Sequence, residues 1–177
     1  MTTGPLPAGD VIETERLVLR RHGLADAAAS ATLWADPEVT RFIGGRPSTA
    51  EEAWARLLRY AGHWALLGFG YWVVQERATG RFIGEAGFAD FRRGVGPRFD
   101  GVPEIGWALA PAAQGRGLAR EAVQAALAWA DARPGAGRTV CMIAPENPRS
   151  IRLAEACGYR EFGTTFYKEQ PTILFER

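Results

Sequence analysis

The chain has little of what metal chemistry, membrane insertion or nucleic-acid binding requires. Two cysteines, Cys141 and Cys157, and two histidines, His22 and His63, occur in 177 residues. They are too few and too scattered for any usual zinc-ligand spacing, so no metal is expected. No run approaches about 18 consecutive apolar residues, which excludes a spanning helix. From Met1 to Leu17 there is no cationic stretch followed by an apolar run. No signal peptide is expected, and a cytoplasmic location is. The 21 basic residues against 20 acidic ones leave a net charge of +1. That balance supplies no long-range field for nucleic acid or an anionic membrane. What is present is a 47% hydrophobic, 23% charged composition, which suits one folded domain with a core that needs no covalent staple.

Residues 1–12 read as a loose lead, followed by a half-buried strand over residues 16–21 in which Leu17 and Leu19 alternate with polar neighbours. Residues 24–35 are Ala-rich and helical by propensity. Thr49 and Glu52 form a capping box for a second helix, whose apolar stripe reads Trp54, Leu57, Leu58, Ala61 and Ala65. Three strands follow at 71–75, 82–88 and 104–110, the last after a Gly/Pro/Arg loop over 92–103. A strong amphipathic helix spans 118–133, with Leu118, Ala122, Ala126, Trp129 and Ala130 on one side. Residues 139–144 read as a strand buried on both faces. Asn147 is placed as an N-cap with Pro148 at the first helical position, and Gly158 as a left-handed C-cap. Strands resume at Tyr159 and at 172–175. No repeat or linker interrupts this order, so residues 1–177 are expected to form a single α+β (mixed α/β) domain.

The most informative segment runs from Glu104 to Val123. A strand enters Pro111, passes through Gln114-Gly115-Arg116-Gly117-Leu118-Ala119, and becomes a helix. Small residues at 115, 117 and 119 let the backbone approach a ligand, and successive amides then point at one anion. The helix N-terminus behind them favours a phosphate, and Arg116 or Arg120 adds a charge-assisted contact. A plain strand-to-helix connection with glycines for packing reads the same way from spacing alone. No Gly-Lys-Ser/Thr follows, so the turn is not a Walker A loop, and the first glycine of a dinucleotide fingerprint is missing.

Gln114-x-x-Gly117-x-Ala119 resembles the acyl-CoA signature of the GNAT N-acetyltransferases. Asn147-Pro148-Arg149-Ser150, running on to Gly158-Tyr159, is similar to a later segment of the same family. Thr14-Glu15-Arg16-Leu17-Val18-Leu19-Arg20 resembles the start of its RimJ/RimL-like branch, as do Asp36-Pro37-Glu38-Val39 and Phe82-Ile83-Gly84. The resemblance implies a central, mostly antiparallel, splayed sheet flanked by helices. It implies acetyl-CoA as acyl donor, with its pyrophosphate on the amides of Gly115, Gly117, Leu118, Ala119 and Arg120. Its pantetheine arm would then run along Trp107, Ala108 and Leu109, with Asn147 as a further contact beside its capping role.

Transfer to an amine needs a base, an oxyanion site and a proton for the leaving sulfur. Within the resemblance, Glu104 and Glu85 are candidates for the base, and burial of Glu85 is expected to raise its pKa. Many relatives place a tyrosine acid where this chain has Ala154, so Ser150 becomes the candidate donor. Trp34 and Phe42 are candidate acceptor-pocket residues. Arg92, Arg93 and Arg98 either recognise an acidic acceptor or are solvated, and solvation is the favoured reading. Both cysteines read as packed thiols. The expected activity is direct acetyl transfer to a primary amine, of a protein N-terminus or a small molecule, in a ternary complex. The alternative is a non-catalytic acyl-CoA-binding or sensing domain. The expected partners are acetyl-CoA and an amine, for a monomer or homodimer.

Overall fold

The computed structural model describes residues 11–177. The expected loose lead falls outside them except for Val11 and Ile12. The elements in chain order are β1 (Ile12–Glu13), β2 (Leu17–Arg21), α1 (Ala27–Ala35), α2 (Pro37–Thr40), α3 (Ala50–Leu67), β3 (Tyr71–Glu76), β4 (Phe82–Ala89) and β5 (Glu104–Leu109). They continue with α4 (Leu118–Asp131), β6 (Val140–Ile143), α5 (Pro148–Ala156), β7 (Arg160–Tyr167) and β8 (Gln170–Glu176). The strands form one eight-stranded sheet in the order β1-β2-β3-β4-β5-β6-β8-β7. Every neighbouring pair is antiparallel except β5 and β6. The result is the mixed α/β architecture expected, with two short elements, β1 and α2, beyond it. Asp36 ends α1 and also starts α2, with Pro37 at its first position: the Asp36 carboxylate accepts from the Glu38 amide at 2.8 Å.

Strand alternation gives the sheet two unlike faces. On one, Trp72, Val74, Ala86, Phe88, Ile105 and Leu109 pack with Leu118, Ala122, Val123, Ala126 and Leu127 of α4. Trp64, Trp72 and Trp129 meet edge to face at centroid distances of 4.9–5.5 Å, which adds quadrupolar attraction to their burial. On the other face α1 and α3 cover the sheet. Trp34, Leu33 and Ala53 pack on Ala108 of β5, and Tyr60 packs with Tyr71 and Ala89. This second face carries Glu85 and Glu104, both buried. The two buried carboxylates of β4 and β5 therefore lie on the same side of the sheet.

The capping box at the start of α3 forms as expected. The Thr49 hydroxyl accepts from the Glu52 amide at 3.2 Å, and the Glu52 carboxylate accepts from the Thr49 amide at 2.8 Å. The apolar stripe on that helix differs from expectation. The buried positions are Ala53, Leu57, Tyr60, His63 and Trp64, while Trp54 and Leu58 are 44% and 49% exposed. Tyr60 and Trp64 present more area to the sheet than Ala61 and Ala65, and they turn the helix by about one position. Trp64→Ala should therefore cost about 3–5 kcal/mol of unfolding free energy, and Trp54→Ala less than about 0.5 kcal/mol. Urea titration of the two variants checks this, and comparable losses would contradict the observed face.

Candidate active site

Strands β5 and β6 share one rung. Glu104 is opposite Val140, and the Val140 amide donates to the Pro103 carbonyl at 3.0 Å. Beyond that rung β6 pairs with β8 alone, so the facing edges of β5 and β6 part and a slot opens toward Leu109 and Ile143. Trp107, Ala108 and Leu109, the expected pantetheine strand, lie along this edge. The chain then turns through Pro111–Ala113, and the Gln114 side-chain amide folds back to donate to the Leu109 carbonyl at 3.0 Å.

Gly115 and Gly117 have φ of +72° and +76°, a left-handed conformation that costs a residue with a side chain about 1–2 kcal/mol. Gly117 is the N-cap of α4 and supplies no capping side chain. Among the described residues, no acceptor takes the N–H of Leu118, Ala119 or Arg120. These open amides sit at the positive end of the helix dipole, a combination suited to an anion.

Two ties hold this turn against the rest of the sheet. Arg16 donates to the Arg116 carbonyl at 2.9 Å and to the Glu121 carboxylate at 2.7 Å, and the Thr14 hydroxyl also donates to Glu121 at 2.6 Å. These donors hold the Glu121 pKa below the ordinary glutamate range, although burial acts the other way. The Arg116 guanidinium, expected near a phosphate, pairs with Glu76 at 2.8 Å. Arg120 has no ion pair among the described residues.

The opposite wall of the slot is the start of α5. The Asn147 side chain accepts from the Ser150 amide at 3.1 Å, the cap expected of it, and the half-exposed Ser150 lies one turn in. Ala154 is fully buried. Arg149 approaches Gln114 to 3.5 Å across the slot. Glu38, Pro111, Gln114, Gly115, Arg149 and Arg152 line an open cleft of about 510 Å³. Arg149 and Arg152 were not singled out in the sequence. The signal was their i, i+3 spacing behind Pro148, which turns both toward the glycine turn.

At the closed end of the slot, Glu104 is 5% exposed. Arg93 grips both its oxygens, at 2.7 and 2.8 Å, and donates to the Tyr167 hydroxyl at 2.9 Å. Burial pushes the Glu104 pKa above the ordinary carboxylate range, and Arg93 offsets only part of that rise. The expectation that the loop arginines are solvated fails for Arg93, which is drawn inward by Glu104 and by the rings of Phe91 and Tyr167. Arg92 pairs with Asp90 and Arg98 with Glu176. Tyr71, also missed in the sequence, reaches over β5: its hydroxyl occupies the space that a side chain at Gly106 would need, 2.0 Å from where a Cβ would stand.

Glu85 lies elsewhere in the same layer and is fully buried. It accepts from the Ser30 hydroxyl at 2.7 Å and the Trp34 indole at 2.8 Å, and His22 Nε2 stands 3.1 Å away, off the line of a good hydrogen bond. The expected rise of its pKa is reversed. Burial does act upward, but His22, Ser30 and Trp34 outweigh it and hold the carboxyl below its ordinary range. Trp34 is 2% exposed, so it belongs to the interior and not to a pocket wall. The half-exposed Phe42 sits in the turn after α2, with Arg41 over its ring. Cys141 and Cys157 are buried thiols whose pKa burial raises.

The family model for the acetyltransferase (GNAT) domain matches residues 16–160. The chain is 28% identical over 155 residues to the uncharacterised N-acetyltransferase p20 of Bacillus licheniformis, covering 87% of this chain and 84% of that protein. A structure described as a GNAT-family acetyltransferase from Bordetella pertussis superposes with a TM-score of 0.85 at 39% identity, covering 94% of this chain and 98% of that one. Spermidine N-acetyltransferase from Vibrio cholerae, solved with CoA and spermine, shares the fold with a TM-score of 0.73 at 21% identity.

 That alignment spans 93% of this chain and 96% of the Vibrio protein.

Glu85→Gln should lower the unfolding free energy by about 1–3 kcal/mol, because a carboxamide cannot satisfy Ser30, Trp34 and His22 together. Urea titration measures the loss, and unchanged stability would show that the network contributes nothing. The sign with pH follows from the lowered folded pKa. The contribution of Glu85 is complete above the ordinary glutamate range and is lost as pH falls through the depressed folded value.

Proposed function

The chain belongs to the GNAT acetyltransferase family, and from that premise we propose that it transfers an acetyl group from acetyl-CoA directly to a primary amine in a ternary complex. The observation that carries this reading is the slot between β5 and β6. It has unsatisfied amides at its open end and a carboxylate of raised pKa at its closed end. Acetyl-CoA enters as the acyl donor. The turn from Gly115 to Arg120 holds its pyrophosphate, Arg149 and Arg152 meet its outer phosphate, and the exposed edge of β5 at Trp107, Ala108 and Leu109 guides the pantetheine arm. Asn147 contributes its amide donors while its carbonyl caps α5.

In this reading Glu104 accepts the proton of the incoming ammonium, directly or through water. A carboxylate of raised pKa is better matched to that task than an ordinary one, and Arg93 keeps it aimed. Backbone N–H groups of β5 hold the oxyanion as the amine nitrogen bonds to the acyl carbon. The Ser150 hydroxyl protonates the sulfur as the carbon–sulfur bond breaks, and the second proton released by the acylated nitrogen restores the hydroxyl, directly or through water. Glu85 serves as an anchor for Trp34 and α1, not as a base. Phe42 lies on the acceptor side of the slot.

Two measurements test the assignment. Glu104→Gln should lower kcat by about 10²–10⁴-fold in a thiol-release assay over an amine panel, with CoA affinity unchanged by calorimetry. Lost affinity at unchanged kcat would remove Glu104 from the chemistry. Gly117→Glu should weaken CoA binding at least about tenfold, because a carboxylate then occupies the anion site. Undiminished binding would show that the pyrophosphate lies elsewhere. CoA binding without release of thiol from any amine would favour the binding-domain alternative.

A further inference from the structure

On the acceptor face of the sheet, two arginines of α3 stand without a carboxylate. Arg56 lies 3.7 Å from the Trp34 ring centroid and Arg59 lies 5.0 Å from that of Phe91. Neither has an ion pair among the described residues, and the Arg56 Nε is buried with no hydrogen-bond partner. Arg93 lies on the same Phe91 ring at 4.5 Å, which brings Arg59 to the rim of the site that holds Glu104. Tyr71, stacked on Tyr60 at 4.4 Å, bridges the space between them over Gly106.

The carboxylates nearby are already engaged. Glu104 is held by Arg93, and Glu85 by Ser30 and Trp34. Asp90 is held by Arg92 and the Gly101 amide, and Asp100 by the amides of Gly94 and Gly96. Burial together with the charges of Arg56 and Arg93 lowers the Arg59 pKa, as expected of cations gathered without enough counter-charge. The rings hold each guanidinium in place, but like charges gathered there repel one another, and an anion completes the set.

We propose that Arg56 and Arg59 bind a carboxylate carried by the acceptor, so that the substrate is an amine that also bears a carboxylate: a free amino acid or an acidic peptide. The inference rests on the acetyltransferase reading and narrows its acceptor. The carboxylate docks on α3 while the amine reaches Glu104. Polyamines and aminoglycosides, which bring only positive charge, are poor acceptors for such a site.

The test uses matched probes on the CoA-loaded protein. Phenylalanine is compared with phenethylamine, and the peptide Ser-Asp-Glu amide with Ser-Asn-Gln amide, by calorimetry and, with acetyl-CoA, by thiol release. The carboxylate-bearing member of at least one pair should bind at least about tenfold more tightly, and which pair responds separates amino acid from peptide. Arg59→Met, which keeps an apolar stem, should erase that preference and raise the KM of the preferred probe about tenfold with kcat retained. Equal binding within both pairs, or a preference that survives Arg59→Met, overturns the proposal. A carboxylate preference in binding without any thiol release supports the anion site and overturns the transferase reading instead.

Discussion

Everything at the candidate site follows from two parallel strands that touch at one rung and then separate. Had β5 and β6 continued to pair past Glu104 and Val140, the exposed edge of β5 would be an ordinary ladder. The separation needs support on both sides. β6 is held by β8, β5 is held by β4, and α4 and α5 start at the two lips of the opening. Each lip is shaped by one residue that tolerates an unusual helix start: Gly117 leaves the first amides of α4 open, and Asn147 closes those of α5.

Two buried glutamates in the same layer are displaced in opposite directions. Glu85 is surrounded by donors and stays easily ionised, while Glu104 has one strong partner, Arg93, and the charges of Asp90 and Asp100 raise its pKa further. Burial is common to both, so the difference lies in the number and kind of groups aimed at each carboxylate. The donors around Glu85 all come from the α1 side of the layer and fix that helix on the sheet. Arg93 reaches Glu104 from a loop, which ties the closed end of the slot to the segment between β4 and β5.

Much of this was legible in the chain. The glycine turn before α4, the Thr49–Glu52 capping box and the Asn147-Pro148 helix start depend on residues within a few positions of one another, and local chemistry determines them. The face of α3 was not legible, because Trp54-Leu58 and Ala53-Leu57-Tyr60-Trp64 are both apolar at helical spacing. Only the sheet beneath decides between them. The same holds for Arg93, whose partners Glu104 and Tyr167 lie 11 and 74 positions away. Glu85 was recognised as unusual, but the sign of its shift depended on Ser30, Trp34 and His22, which no spacing rule connects to it. Tyr71 was hidden for a related reason, since its position over Gly106 exists only once β3, β4 and β5 are aligned.

The tie from Arg16 to Glu121 joins positions 105 apart in sequence. Such a contact is non-local, and closing the chain between its ends carries an entropic cost that the rest of the fold must offset. The turn at Gly115 and Gly117 is therefore tied to the segment just before β2, at the other end of the sequence. Binding of an anion at the open amides would therefore stabilise both parts of the chain together.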